Sequence, residues 1–172
     1  AWVEGRKKNQ YTAPSSKKRI WFHVASLGEY EQARPVIDEL QSKYPDTRFV
    51  ITFFSPSGYE LVNQKHPDCE VLYLPLDTAR NAQFIVEYIN PEIAVFVKYE
   101  YWYFTIQTLF KKNITVLLIV AYFKNNQIFF KPYGTLFKNI LHYYEHIFVQ
   151  DKHSKKLLSS IPPTLITCTA LA

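Results

Sequence analysis

The sequence holds no methionine, four glycines and two cysteines, and each scarcity removes a class of function. With so few glycines, neither the dinucleotide fingerprint nor the phosphate loop of nucleotide hydrolases can be written anywhere along the chain. Cys69 and Cys168 lie far apart with no spacing for zinc or a redox pair, and read as two reduced thiols. His142, His146 and His153 lack companions at metal-ligand spacing, so neither a metal nor a cofactor is expected. No apolar run reaches the ~18 residues of a membrane helix. The longest, ITVLLIVAYF at 114–123, reads as a buried strand. A formal charge of +5 falls short of the basic stripe of a nucleic-acid binder, and no nucleic-acid motif is present. The start at Ala1 without a methionine leads us to expect residues upstream. IPPTLITCTALA, which begins a strand after a double proline and stops, gives the same expectation downstream.

What is present is apolar and aromatic. Of 172 residues, 48% are hydrophobic and 17% aromatic, enough for one domain with a real core and incompatible with disorder. The mild positive balance fits an anionic partner such as a phosphorylated lipid, a nucleotide or a membrane surface. Residues 1–19 are polar and basic and read as a lead-in or linker, 20–160 as the domain, and 161–172 as the cut start of a next segment.

Within the domain, short apolar runs alternate with helical patterns. Strands are expected at 19–25, 48–54, 70–75, 92–97, 114–121 and 146–150. Helices are expected at 29–44, 55–65, 78–90, 99–112, 133–144 and 151–160, the first with Ala33, Val36, Ile37 and Leu40 on one face. Near-continuous apolar strands separated by helices give a parallel sheet covered on both faces, a Rossmann-like α/β fold. In such sheets ligands bind beyond the carboxyl ends of the strands. The loops to inspect therefore hold Ser26 to Glu29, Ser55 to Gly58, Pro75 to Asp77, Lys98 to Trp102, Ala121 to Lys124 and Gln150 to Lys152.

In ASLGE, Gly28 permits a tight turn and Glu29 stands at a helix start, as a plain helix-start acid or as a base for an attacking hydroxyl. In FFSPSG, Ser55, Ser57 and Gly58 form either a helix cap or a small anion nest. In VFVKYEYWYF, Glu100 follows an apolar strand on the same rim as Glu29, so the two could form an acid/base or orienting pair. The alternative for Glu100 is a surface carboxylate paired with Lys98. In YFKNNQIFFKPYGTLFKN, aromatics interleaved with Lys124, Lys131 and Lys138 suit an amphiphile or membrane interface, or a helix with Phe137 and Leu141 turned to the core. His23, on a core strand, reads as a buried and satisfied histidine.

WFHVASLGEYEQARPVIDEL, TFFSPSG and VKYEYWYF, in this order, resemble the amino-terminal domain of 3-deoxy-D-manno-octulosonic acid (Kdo) transferases. The resemblance runs from about Trp2 to about Ser160. It implies the amino-terminal half of an inverting, metal-independent GT-B glycosyltransferase. Such enzymes carry Kdo from CMP-Kdo to the lipid A precursor at the cytoplasmic face of the bacterial inner membrane.

By the same resemblance Glu29 is the catalytic base and Glu100 a second functional acid. Ser26, Gly28, Ser55, Ser57, Gly58 and Trp102 fall on acceptor-site positions, and Lys124 and Lys131 are the basic residues assigned to acceptor phosphates. The chain departs from the common pattern in two places. Lys98-Tyr-Glu-Tyr-Trp-Tyr-Phe104 stands for Glu-Thr-Glu-Leu-Trp-Pro-Asn, and Val120-Ala-Tyr-Phe-Lys124 for Asn-Ala-Arg-Leu-Ser. The second domain, which in the family supplies most CMP-Kdo contacts, is not in this sequence, so the segment alone is expected to bind acceptor without turnover. Two other readings stay open: a GT-B enzyme for a different sugar or acceptor, and an inactive truncated domain that only binds an anionic lipid.

Overall fold

The computed structural model describes residues 18–65, 68–161 and 168–170. Most of the expected basic lead-in and the double proline lie outside the described residues. Seven strands form one sheet: β1 (Arg19–Val24), β2 (Arg48–Phe53), β3 (Cys69–Tyr73), β4 (Ile93–Val97), β5 (Thr115–Ala121), β6 (His146–Val149) and β7 (Cys168–Ala170). Their order is β3-β2-β1-β4-β5-β6-β7, and every pairing is parallel. The Rossmann-like α/β fold read from the sequence is the observed one. Cys168–Ala170, expected at the start of a next segment, pairs with β6 at the edge of this same sheet.

Alternation along each strand builds two cores, because successive side chains point to opposite faces. On one face Phe22, Val24, Ile51, Phe53, Val95 and Val97 pack beneath α1 (Leu27–Lys43) and α2 (Pro56–Lys65). On the other, Trp21, Val50, Leu72, Phe96 and Leu118 pack against four helices. These are α3 (Ala79–Ile89), α4 (Tyr103–Lys111), α5 (Thr135–Leu141) and α6 (Lys152–Ser159). In α1 the buried residues are Tyr30, Ala33 and Ile37, whereas Val36, expected on that face, is 43% exposed. The helix begins at Leu27, earlier than expected, and the buried stripe runs through Tyr30, Ala33 and Ile37 with Leu40 packed beside it.

Arg19, placed in the lead-in by composition, opens β1 and is only 3% exposed. Its guanidinium donates to the carbonyls of Tyr88 and Ile89 and lies 3.9 Å from Glu70, which also pairs with Arg48 at 3.2 Å. A buried charge of this kind is held by partners from β3 and α3, neither of which local composition shows.

The long helix expected over 133–144 is also shorter. A 3₁₀ turn at Ile128–Phe130 precedes it, and α5 spans only Thr135–Leu141. At Gly134 a Cβ would stand 1.8 Å from the Ile128 carbonyl oxygen, so the chain folds back there as only glycine allows. Gly58 is a packing glycine as well, since a Cβ on it would come within 2.2 Å of the fully buried Phe53 ring. Gly58→Ala is expected to lower unfolding free energy by about 1–3 kcal/mol in urea titration, because the ring has nowhere to go.

Candidate functional site

In this strand order the chain reverses direction between β1 and β4, since β1 leads outward to β2 and β3 before crossing back to β4. At such a reversal point, beyond the carboxyl ends of β1 and β4, sheets of this kind bind their ligands. Glu29 and Glu100 follow these two strands.

Glu29 sits in the first turn of α1, half-buried, and its Oε2 accepts the Ala25 backbone N–H at 2.6 Å. Ser26-Leu-Gly-Glu29 has the spelling of a capping box, in which the acid reaches back to the chain entering the helix. The other half of the box is unmade, for the Ser26 side chain makes no cap hydrogen bond. Burial raises the Glu29 carboxyl above its ordinary value and the nearby Glu100 charge adds to the rise. The Ala25 and Ser26 amides and the charge of His23 oppose it. A carboxylate with a raised pKa and one engaged oxygen is suited to take up a proton.

Glu100 is set behind the rim rather than on it, at 8% exposure, and does not pair with Lys98. Its Oε2 accepts from His23 Nε2 at 3.1 Å and from Trp102 Nε1. Burial pushes its carboxyl up, but the hydrogen bond and charge of His23, with the Trp102 bond, outweigh this and hold it below its ordinary value. His23 is itself fully buried. Its Nδ1 meets Thr52 Oγ1 at 2.9 Å and the Thr52 carbonyl at 3.1 Å, and Thr52 Oγ1 accepts from Trp21 Nε1 at 2.8 Å. An ionised Glu100 needs a donor at Nε2, so the ring carries a proton there. A chain of polar contacts thus runs from Trp21 on β1 through Thr52 on β2 and back to the loop after β4.

That loop is pinned from three other directions. Tyr144 Oη donates to the Glu100 carbonyl at 2.7 Å. Asp77, from the loop after β3, accepts the Phe104 and Thr105 amides at 3.0 and 2.9 Å and so caps α4 from outside. The Trp102 ring stands edge-on to His23, with centroids 5.1 Å apart. Sequence reading foresaw His23 as a satisfied core histidine, but not as the partner of Glu100. Tyr144 and Thr52 left no local signal.

The remaining candidates divide. Ser55 lies beside the Glu29 loop, its N–H donating to the Ala25 carbonyl at 2.9 Å. Gly28 has no positive φ, and a Cβ there would meet only Ser26 Oγ, at 4.0 Å. The tight turn expected of it is therefore not made, and the glycine leaves an open surface at the helix start. Gly58 packs on Phe53, as described above, and the Ser57 side chain lies outside the described residues. Lys124 is exposed with its Nζ 5.7 Å from the Tyr122 ring centroid, in the loop after β5, which stands two strands along the sheet from β1. Lys131 is half-buried after the 3₁₀ turn. Among the described residues no group of three His, Cys, Asp or Glu side chains is placed to hold a metal ion.

The backbone is strained at this rim. Lys98 (φ 73°) and Val120 (φ 57°) occupy the left-handed region at the ends of β4 and β5, and the pairing of β5 with β6 slips between Leu118 and Ala121. A β-branched residue is poorly suited to that region. Val120→Asn, the residue of the common pattern at this position, is expected to raise unfolding free energy by about 1 kcal/mol, read from the urea midpoint.

Residues 4–169 match the family model described as 3-Deoxy-D-manno-octulosonic-acid transferase (kdotransferase). The chain belongs to the Kdo transferase family. The chain is 32% identical over 103 residues to the 3-deoxy-D-manno-octulosonic acid transferase of Haemophilus influenzae, covering 59% of this chain and 24% of that protein. Against the Aquifex aeolicus transferase it is 31% identical over 113 residues, covering 65% of this chain and 30% of that protein. The chain thus spans under a third of the length of these family members. The fold is shared more widely. The UDP-GlcNAc 2-epimerase of Neisseria meningitidis, solved bound to UDP-GlcNAc, superposes with a TM-score of 0.60 at 19% identity, over 88% of this chain and 46% of that one. A putative UDP-N-acetylglucosamine 2-epimerase from Listeria monocytogenes gives 0.59 at 15% identity, over 88% and 44%. In this chain the carboxyl ends of β1 and β4 carry Glu29, half-buried, and Glu100, buried behind it.

Proposed function

We propose that this domain is the acceptor-binding, amino-terminal half of an inverting GT-B enzyme that carries Kdo from CMP-Kdo to the lipid A precursor. The observation that carries the reading is Glu29, a half-buried carboxylate with a raised pKa at the sheet's reversal point, in a chain of the Kdo transferase family. Glu29 takes the proton of an acceptor hydroxyl as that oxygen bonds to the anomeric carbon of Kdo. The bond from that carbon to the CMP phosphate breaks, and CMP leaves with the electron pair. Glu100 acts as a positioning residue, its charge holding the Glu29 pKa up while His23 and Trp102 hold it in place. The donor's contacts come mainly from a second domain. Lys124 and Lys131 meet acceptor phosphates, and Ser26, Gly28 and Ser55 border the acceptor sugar. The work is done at the cytoplasmic face of the bacterial inner membrane.

The test is transfer of labelled Kdo from CMP-Kdo to a lipid A precursor by the enzyme carrying both domains. Kdo-dependent product supports the reading, and transfer of a different sugar, or none, overturns it.

A further inference from the structure

Trp21, His23 and Thr52 are fully buried, and Thr52 is the register partner of His23 across the pairing of β1 with β2. The Thr52 hydroxyl has two partners among the described residues, Trp21 Nε1 at 2.8 Å and His23 Nδ1 at 2.9 Å. An indole nitrogen only donates, so Trp21 occupies a lone pair of the hydroxyl. The hydroxyl proton is then left with one acceptor, His23 Nδ1. It is accepted there only if Nδ1 is bare, and with a proton already at Nε2 the ring is neutral. In this arrangement Trp21, Thr52, His23 and Trp102 each donate once and every donor is met.

The ring has a second arrangement. A proton on Nδ1 goes to the Thr52 carbonyl at 3.1 Å, and His23 becomes a cation facing Glu100. The Thr52 hydroxyl proton then has no acceptor in a dry site, which disfavours the charged ring. From this geometry we infer that Thr52 is a positioning residue for the transfer step, its hydroxyl holding the buried His23 neutral so that the Glu100 charge reaches Glu29 uncompensated. The charge on Glu100 raises the Glu29 pKa and a charge on His23 lowers it. Whether the ring is charged therefore decides how strongly Glu29 holds a proton, and Thr52 decides the ring. The other titratable groups near Glu100 are the phenols of Tyr101 and Tyr144, kept protonated by burial. From β4 the ring meets only Phe96, and from the loop beyond it Trp102, both uncharged. The inference rests on the proposed reading of Glu29 as base, and adds the residue that sets its strength.

The first test is nitrogen-15 NMR of the histidine rings of the chain at about pH 7.5, above the ordinary histidine value. His23 is assigned through its contact with the Trp102 ring. It is expected to show a protonated Nε2 and a bare Nδ1. Protons on both nitrogens, or on Nδ1 alone, overturn the inference without any variant. Thr52→Val keeps the shape of the side chain and the carbonyl at position 52 but removes the hydroxyl. Trp21 loses its acceptor, which lowers stability and adds no charge. Nδ1 loses its donor, and the ring is expected to take up a second proton at the same pH and pass it to the carbonyl. In the two-domain enzyme the charged ring offsets Glu100, so the acid limb of kcat/KM moves down by about 0.5–1 pH unit. Thr52→Ser, which retains a hydroxyl, restores the neutral ring and the native limb. A Thr52 that only packs β2 against its neighbours leaves ring and limb unmoved in the Val variant, and that result overturns the inference. If the limb stays put in an enzyme that transfers Kdo, the inference fails and the transferase reading stands. If no Kdo is transferred the reading falls, and the ring spectra of the native and Val proteins still decide whether Thr52 holds His23 neutral.

Discussion

Glu29→Gln in the two-domain enzyme is expected to lower kcat for Kdo transfer by about 10²–10⁴-fold, with the thermal unfolding midpoint changed little. The amide keeps the shape of the side chain, and its oxygen can still accept the Ala25 N–H, so the start of α1 survives. What it loses is the ability to hold a proton. Two features make this more than a helix cap. Its pKa is raised, by burial first and by Glu100 second, and the Ser26 side chain leaves the box half-made. A purely structural Glu29 would reverse the pattern, with a lower midpoint and near-normal turnover in the variant. The acid limb of the kcat/KM profile reports the same group. The base works when deprotonated, so activity falls as pH drops through the raised Glu29 pKa, and the Gln variant's residual rate loses that limb.

How far the sequence alone reaches follows from where each interaction is made. The strands were legible because both faces of a parallel sheet are buried, which leaves uninterrupted runs such as RIWFHV and IAVFV. The strand-end rule then directed attention to the loops of Glu29 and Glu100 without any knowledge of partners. Long-range partners are where local reading stops. Arg19 reads as one more residue of a basic lead-in until Tyr88, Ile89 and Glu70 arrive from elsewhere in the chain. Glu100 reads either as a partner of Glu29 or as a surface acid beside Lys98, and neither reading names the neighbours that hold it, His23, from 77 positions away, and Tyr144, from 44. The short α5 is likewise set by a backbone contact at Gly134, which no periodicity records.

Glu100 offers the sharper separation of holding from chemistry. Glu100→Ala is expected to lower unfolding free energy by about 3 kcal/mol in urea titration, because it strands the His23 Nε2 and Trp102 Nε1 donors in a nearly dry site. Glu100→Gln keeps an acceptor for them, and keeps the backbone carbonyl that Tyr144 binds, so its cost is about 1 kcal/mol. The native carboxyl has its pKa depressed in the fold, so its contribution to stability is present above the ordinary carboxylate value and is lost as pH falls through the folded one. In the Gln variant that loss on acidification disappears. The kinetic signature runs through Glu29. Removing the Glu100 charge removes a repulsion that keeps the Glu29 pKa up, so the acid limb of kcat/KM moves to lower pH. A base of lower pKa is also a weaker one, and the plateau rate drops with it. A Glu100 that only braced the loop would leave the limb where it was, and one that touched the reacting atoms would cost far more rate than a displaced pKa explains.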